Sequence, residues 1–105
     1  MSEYYVSGSS VSGSTLSSGD TMYVSAGGSA VSTTISSGGS MELYIGGTAV
    51  STTVSSGGSM DVNNDASAVS TKVLNGGLVR VFANGLASRT VISGGGVLRV
   101  QLGTA

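Results

Sequence analysis

The residues of this chain that could bind a metal ion or carry out catalysis are few, and they lie among many serines, threonines and glycines. Histidine and cysteine are absent, which excludes thiolate and imidazole metal sites and nucleophilic catalysis by a Ser/His or Cys/His pair. The hydroxyl groups therefore have no base to activate them. Because the sequence contains no triad, metal-ligand set or acid pair, it predicts a protein that is not an enzyme and has no cofactor.

The strongest candidate for a metal site is the run Asn63, Asn64 and Asp65, whose side-chain oxygens could bind calcium. Calcium-binding β-rolls repeat an aspartate in every turn within a G-G-x-G-x-D pattern, and this chain does not. The three residues occupy a place where two other copies of the repeat have a glycine pair. We therefore interpret them as a turn that tolerates positive φ, and the sequence predicts no metal site.

The charged side chains are sorted by sign along the chain, because every acid precedes every base. If successive segments stack in order, one end of the molecule is negative and the other is positive. Either this is drift among degenerate repeats, or copies associate end to end or side by side in antiparallel fashion. The acids are Glu3, Asp20, Glu42, Asp61 and Asp65, the bases are Lys72, Arg80, Arg89 and Arg99, and the candidate self-association charges are Glu42, Asp61, Arg80 and Arg99.

A repeat of 19 residues organises these side chains, since residues 27–45 and 46–64 are almost identical. The repeat divides the chain into coils 8–26, 27–45, 46–64, 65–83 and 84–102. Residues 1–7 are then a partial N-terminal edge strand, with Tyr4 and Tyr5 aligned to positions 16 and 17 of a coil, and 103–105 begin a further coil. In each coil position 1 is Gly8, Gly27, Gly46, Asp65 or Asn84.

Three columns of the repeat, at positions 9, 15 and 17, never carry a polar residue. Position 9 runs from Leu16 to Ile92, and position 15 begins with Met22, Met41 and Met60. Position 16, between 15 and 17, and position 18, after 17, are mostly polar or aromatic. This alternation is typical of a strand with one buried face. With position 9 inward, we expect the threonines at position 7 and the residues at position 5 to point inward too. The threonine methyl groups then pack, and the hydroxyls can hydrogen-bond along the ladder or to backbone.

Glycine pairs mark two corners in most coils, such as Gly38 with Gly39 and Gly46 with Gly47. Glycine supplies positive φ at no steric cost, and Asn and Asp are its usual substitutes. Each coil is therefore predicted to be strand, turn, strand, turn, with the small residue of position 4 at a tight turn. Identical columns favour a parallel β-solenoid of about five coils, in which like residues stack, over an antiparallel meander or barrel.

The outward column at position 8 reads Thr15, Thr34, Thr53, Lys72 and Val91. A long flat threonine array would suggest ice binding, but this one ends after three coils. We interpret it as a solvated strand face. The net charge of −1 does not indicate nucleic acid or an anionic membrane as the partner, and no apolar run is long enough to insert this segment into a membrane.

The unit GG-[ST]-AVSTT-[IV]-SSGGSM resembles the strand–loop–strand repeat of AIDA-type autotransporter passenger domains, over residues 8–102. The resemblance implies a right-handed β-helix at the bacterial cell surface that mediates adhesion, autoaggregation and biofilm formation. Such proteins are exported as part of a larger chain, and the N-terminus here, MSEYYVSGSS, lacks the features of a signal peptide. The family also implies partners: the chain itself, a host surface or a glycosyltransferase.

Several members of that family are O-glycosylated with heptose on serines and threonines of the loop between the two strands. One alternative to the adhesin function is therefore that the chain is an acceptor substrate for O-heptosylation. A second is that it is a repeat module of a phage or cell-wall appendage. The positions that match the acceptors are Ser17, Ser18, Ser36, Ser37, Ser55 and Ser56.

Overall fold

A computed structural model describes residues 3–82 and 84–100 of the chain. All regular elements in these ranges are short β-strands. They are β1 (Glu3–Val6), β2 (Ser10–Ser12), β3 (Thr15–Leu16), β4 (Thr21–Val24), β5 (Ser29–Val31), β6 (Thr34–Ile35), β7 (Ser40–Leu43), β8 (Thr48–Val50), β9 (Thr53–Val54), β10 (Ser59–Val62), β11 (Ser67–Val69), β12 (Lys72–Val73), β13 (Leu78–Val81), β14 (Leu86–Ser88), β15 (Val91–Ile92) and β16 (Val97–Val100).

The strands form three parallel sheets that together make a β-solenoid, as the sequence predicts. Sheet A has the order β1-β4-β7-β10-β13-β16, sheet B β14-β11-β8-β5-β2 and sheet C β15-β12-β9-β6-β3. Every third strand joins the same sheet, so each coil contributes one strand to each sheet. Sequence order is therefore axial order, and coils follow one another at the strand spacing of about 4.8 Å.

The register confirms the 19-residue spacing between coils. Met41 pairs with Met60 and Ala30 pairs with Ala49, each 19 residues apart. The other paired residues of the three sheets have the same spacing, except those of β1. The first pair differs, because Tyr5 lies beside Tyr23, 18 residues on. The predicted alignment of Tyr4 and Tyr5 with positions 16 and 17 is thus wrong by one residue, since the corner between β1 and β2 is one residue shorter than the later corners.

The core is the stack of apolar columns predicted from positions 9, 15 and 17. In the coils that begin at Gly8, Gly27, Gly46 and Asp65 every one of these side chains is at most 1% exposed. In the last coil Ile92 and Val100 are each 44% exposed, because no described residue covers that end. The buried members are Leu16, Met22, Val24, Ile35, Met41, Leu43, Val54, Met60, Val62, Val73, Val79 and Val81.

The first half of each coil differs from the prediction, because it forms two strands and not one. A bend at position 6 separates them, where Ser32, Ser51 and Ser70 have φ of 54°, 58° and 58°. This left-handed residue interrupts the two-residue alternation of a strand. As a result the alanines of position 4 are buried, while Val31 and the other valines of position 5 are half-exposed. The predictions of an inward position 5 and of a turn at position 4 are therefore wrong.

The threonines of position 7 are buried as predicted, but their hydroxyls are not paired as predicted. Thr33, Thr52 and Thr71 are at most 1% exposed. Their Oγ1 atoms, and that of Thr90, have no hydrogen-bond partner among the described residues. The methyl group packs in the core, and the hydroxyl is buried with it at a cost in stability.

The corners have two different requirements. The first residue of the corner at position 1 needs positive φ, and Asp65 and Asn84 adopt it at 60° and 62°, which confirms that they replace glycine there. The second glycine of a pair is required by space. A Cβ on Gly39 would lie 2.4 Å from the carbonyl oxygen of Leu16, and one on Gly58 would lie 2.7 Å from that of Ile35. Each corner thus packs directly on the coil before it.

Candidate functional site

The predicted acceptor serines lie on the corner that connects sheet C to sheet A. Ser18, Ser37 and Ser56 are exposed, as is Ser17. Neighbouring coils are joined along this corner by backbone bonds, for example from Ser18 N–H to the Ser37 carbonyl at 2.8 Å. The corner is therefore a ridge of regularly spaced hydroxyls, and Ser36 and Ser55 are its half-buried members. The assignment of these serines as glycosylation sites stays a prediction.

The four candidate self-association charges share one outward column of sheet A. Glu42, Asp61, Arg80 and Arg99 follow one another in register across β7, β10, β13 and β16. Two of them pair within the chain: Arg80 Nε donates to Asp61 Oδ1 at 2.8 Å, and Nη2 donates to Oδ2 at 2.9 Å. The guanidinium also lies 5.8 Å from the centre of the Phe82 ring. The column is thus acidic at one end, internally paired in the middle and basic at the other end.

Sequence reasoning missed an aromatic ladder at the acidic end of the same sheet face. The rings of Tyr5 and Tyr23 are stacked with centroids 5.1 Å apart, and those of Tyr23 and Tyr44 are 6.1 Å apart. The Tyr5 hydroxyl donates to Glu3 at 3.0 Å, and the Tyr44 hydroxyl donates to Glu42 at 2.9 Å. The pattern Glu-x-Tyr, which occurs at both places, is the signal that could have revealed these two hydrogen bonds, because residues two apart share a strand face.

These hydrogen bonds alter the acidity of the two phenols. The hydrogen bond to Glu42, and after it partial burial, raises the pKa of Tyr44 to about 12. The hydrogen bond to Glu3 likewise raises the pKa of Tyr5. The neutral phenol donates a hydrogen bond to the carboxylate, whereas the phenolate would place a second negative charge beside it. Both tyrosines are therefore neutral donors at physiological pH.

A shallow groove of about 230 Å³ lies between sheets B and C, and Ser51, Thr53, Ser70 and Lys72 line it. The left-handed bend at position 6 creates it, because positions 6 and 8 point outward on either side of the buried threonine of position 7. None of the four side chains makes a side-chain hydrogen bond with another described residue. They are therefore open to solvent or to a ligand.

Within residues 3–82 and 84–100, no group of three or more histidine, cysteine, aspartate or glutamate side chains could hold a metal ion. Asp65 is exposed and serves the turn described above. In the same ranges no helix is long and apolar enough to cross a membrane.

Known proteins similar to this chain include a family of adhesins and a solved structure. No curated protein matches the chain. Among solved structures, the chain is similar to the crystal structure of a TibC-catalysed, hyper-glycosylated fragment of TibA, with 23% identity and a TM-score of 0.48. The alignment covers 98% of this chain and 60% of that one, so this chain spans less than two thirds of the TibA fragment.

A family model described as "Adhesin of bacterial autotransporter system, probable stalk" matches residues 1–58 and 36–77. The two matches together span more than half of the chain and include the regular coils that begin at Gly27 and Gly46. They also include most of the corner glycines and most of the buried columns that build the solenoid. This chain therefore belongs to the AIDA family of bacterial autotransporter adhesins, and its described residues form a β-solenoid.

Proposed function

We propose that this chain is a rigid, non-enzymatic part of an adhesin stalk, displayed outside the cell, that associates side by side with a second copy of itself. The observation that carries the proposal is the axial order of charge in the outward column of sheet A. Glu42 stands on the acidic side of the Asp61–Arg80 pair, and Arg99 stands on its basic side. Family membership favours this role over that of a phage or cell-wall module.

An antiparallel pair with its two-fold axis midway between Asp61 and Arg80 would use all four charges. Glu42 of each copy would face Arg99 of the other, because these residues lie at equal distances, in coils, from the axis. Asp61 and Arg80 could pair within either copy or between them. Such charge complementarity fixes register and partner orientation more than it adds affinity.

Charge reversal tests this arrangement. Glu42→Arg and Arg99→Glu should each weaken self-association, because each places like charges opposite one another. An equimolar mixture of the two variants should associate again, since every facing pair is then of opposite sign. Light scattering at low salt measures the association, and salt should weaken it because exposed charges are screened over about 8–10 Å.

End-to-end association is the competing arrangement, and the same experiment distinguishes it. In an end-to-end contact Glu42 lies on β7, two strands in from the end of sheet A, and does not face the next copy, so Glu42→Arg should leave the association nearly unchanged. Light scattering that does not change with salt would contradict both arrangements.

A second candidate function is that of an acceptor for O-glycosylation on the serine ridge. The exposure of Ser18, Ser37 and Ser56 favours it, because a transferase must reach the hydroxyl. Intact-mass analysis of the native protein should show added heptose, and peptide mapping should place it on Ser17, Ser18, Ser36, Ser37, Ser55 or Ser56. Ser37→Ala should remove one site, whereas Ser59→Ala, which changes a half-buried serine, should remove none. An unmodified native mass would exclude this role.

A further inference from the structure

The groove between sheets B and C is distinct from the face proposed for self-association and from the serine ridge. It is built from positions 6 and 8, whereas the charge column belongs to position 16 on sheet A. Two rows of hydroxyls run along it in successive coils, one from the serines at the bend and one from the threonines of sheet C. The rows are Ser32, Ser51 and Ser70 at position 6, and Thr15, Thr34 and Thr53 at position 8.

Two cations replace hydroxyls at one end of these rows. Lys72 follows Thr53 in the row of position 8, and the two residues are in-register partners. Arg89 follows Ser70 at position 6, where the Ser70 N–H donates to the carbonyl of Ser88 at 2.9 Å. Arg89 keeps the left-handed conformation of the bend, with φ of 56°, so its side chain points outward like those of the serines. Both cations are exposed.

From this arrangement we infer that the groove lined by Ser51, Thr53, Ser70 and Lys72, and continued by Arg89, binds an anionic polysaccharide along the solenoid axis. A sugar chain presents hydroxyl groups at regular intervals, and the two rows offer hydroxyl donors and acceptors at the coil spacing of about 4.8 Å. Lys72 and Arg89 then pair with carboxylate or sulfate groups of the chain. This inference goes beyond the proposed self-association and does not depend on it.

Other classes of ligand fit the groove less well. A nucleic acid strand needs aromatic side chains on which its bases stack, and neither row contains one. An extended peptide needs an unpaired strand edge, but β8, β9, β11 and β12 beside the groove are paired on both sides. A neutral polysaccharide would use the hydroxyls but not the two cations.

Binding of dextran sulfate, polygalacturonate and neutral dextran oligosaccharides of equal length tests the inference. Isothermal titration at low salt should detect binding of the two anionic chains, and the comparison between them shows whether sulfate or carboxylate is preferred. Neutral dextran should bind at least about tenfold more weakly. The affinity for the anionic chains should fall with salt, since exposed charges are screened. Equal affinity for dextran and dextran sulfate would overturn the inference.

The variants Lys72→Thr and Arg89→Ser locate the site, and each restores the residue type found in other coils, so both are expected to fold. Each should weaken binding of the anionic chain by about two- to fivefold, as expected for one exposed ion pair. Asn64→Asp is the matched control, because it changes the net charge by the same one unit at an exposed corner outside the groove and should leave the affinity unchanged. An equal loss in all three variants would show that only net charge matters and would contradict the site.

Nuclear magnetic resonance gives an independent readout. On addition of dextran sulfate, the amide signals of Ser51, Thr53, Ser70 and Lys72 should shift, and those of β7 and β10 on sheet A should not. Shifts confined to sheet A would overturn the assignment.

Discussion

Asp61 and Arg80 stand in the same outward column one coil apart and form a bidentate ion pair, with N–O distances of 2.8 and 2.9 Å. Parallel in-register pairing brings them together, since β10 and β13 place Asp61 directly beside Arg80. The side chains are 18% and 38% exposed, respectively, so the pair is partly screened by solvent. It links the acidic and basic halves of the molecule.

The pair should contribute modestly to stability. A double-mutant cycle with Asp61→Ala and Arg80→Ala should give a coupling free energy of about 0.5–1 kcal/mol, the upper part of the range for exposed pairs because the geometry is bidentate. Urea unfolding at low and high salt measures it, and the coupling should decrease at high salt. A coupling of zero at low salt would show that the pair does not stabilise the fold.

Replacing a buried threonine hydroxyl by a methyl group should stabilise the solenoid. Thr52 is 0% exposed, and its Oγ1 has no hydrogen-bond partner among the described residues. Thr52→Val should therefore raise the free energy of unfolding by about 1 kcal/mol, because an unpaired buried hydroxyl costs that much or more. Thr53→Val, at a half-exposed outward position, is the control and should change it by less than about 0.5 kcal/mol. Destabilisation by Thr52→Val would indicate that the hydroxyl is hydrogen-bonded in solution.

Two glycine substitutions separate the cost of space from the cost of backbone conformation. Gly58→Ala would put a Cβ 2.7 Å from the Ile35 carbonyl oxygen, and should destabilise the protein by about 3 kcal/mol through overpacking. At Gly13, where φ is 73° and nothing lies within 4 Å of a Cβ, the change to alanine should cost only about 1 kcal/mol. Thermal unfolding compares the two, and equal effects would contradict close coil packing at Gly58.

Ionisation of Tyr44 should be displaced to high pH. Its folded-state pKa of about 12 lies above the ordinary value of 10.0, so its contribution to stability is complete below pH 10. That contribution is lost as the pH rises from 10 through 12. Ultraviolet titration of the phenolate, with Tyr44→Phe to identify the signal, measures the shift. Glu42→Ala should return the pKa toward 10, whereas an unchanged value in that variant would contradict the hydrogen bond to Glu42.

Much of the fold follows from the repeat, and the parts that do not have local physical causes. The columns that contain Met41 and Val62 are buried as the alternation predicts, because a strand with one buried face has a period of two. The inward orientation of the alanine side chains at position 4 does not follow from this alternation, since the bend at Ser51 interrupts it. A serine in a left-handed conformation carries no distinctive signal in a chain rich in serine.

The candidate sites divide in a similar way. The position of Glu42, Asp61, Arg80 and Arg99 in one outward column follows from the repeat. The stack of Tyr5 on Tyr23 does not, because it depends on a first corner that is one residue shorter than the others. The groove beside Thr53 also depends on the bend. The sequence alone predicts only that Thr53 belongs to a solvated strand face.

By itself, the sequence determined the 19-residue coil, the apolar columns, the glycine corners and the axial order of the charges. These features are properties of periodicity and residue type, and identical coils must stack like on like to bury their apolar side chains. Only the tertiary structure decided the three-sheet cross-section, the pairing of Asp61 with Arg80, the tyrosine ladder and the groove at Lys72. Each of these depends on where the backbone bends and on which side chains adjacent coils bring within contact distance, and neither is encoded in hydrophobic period alone.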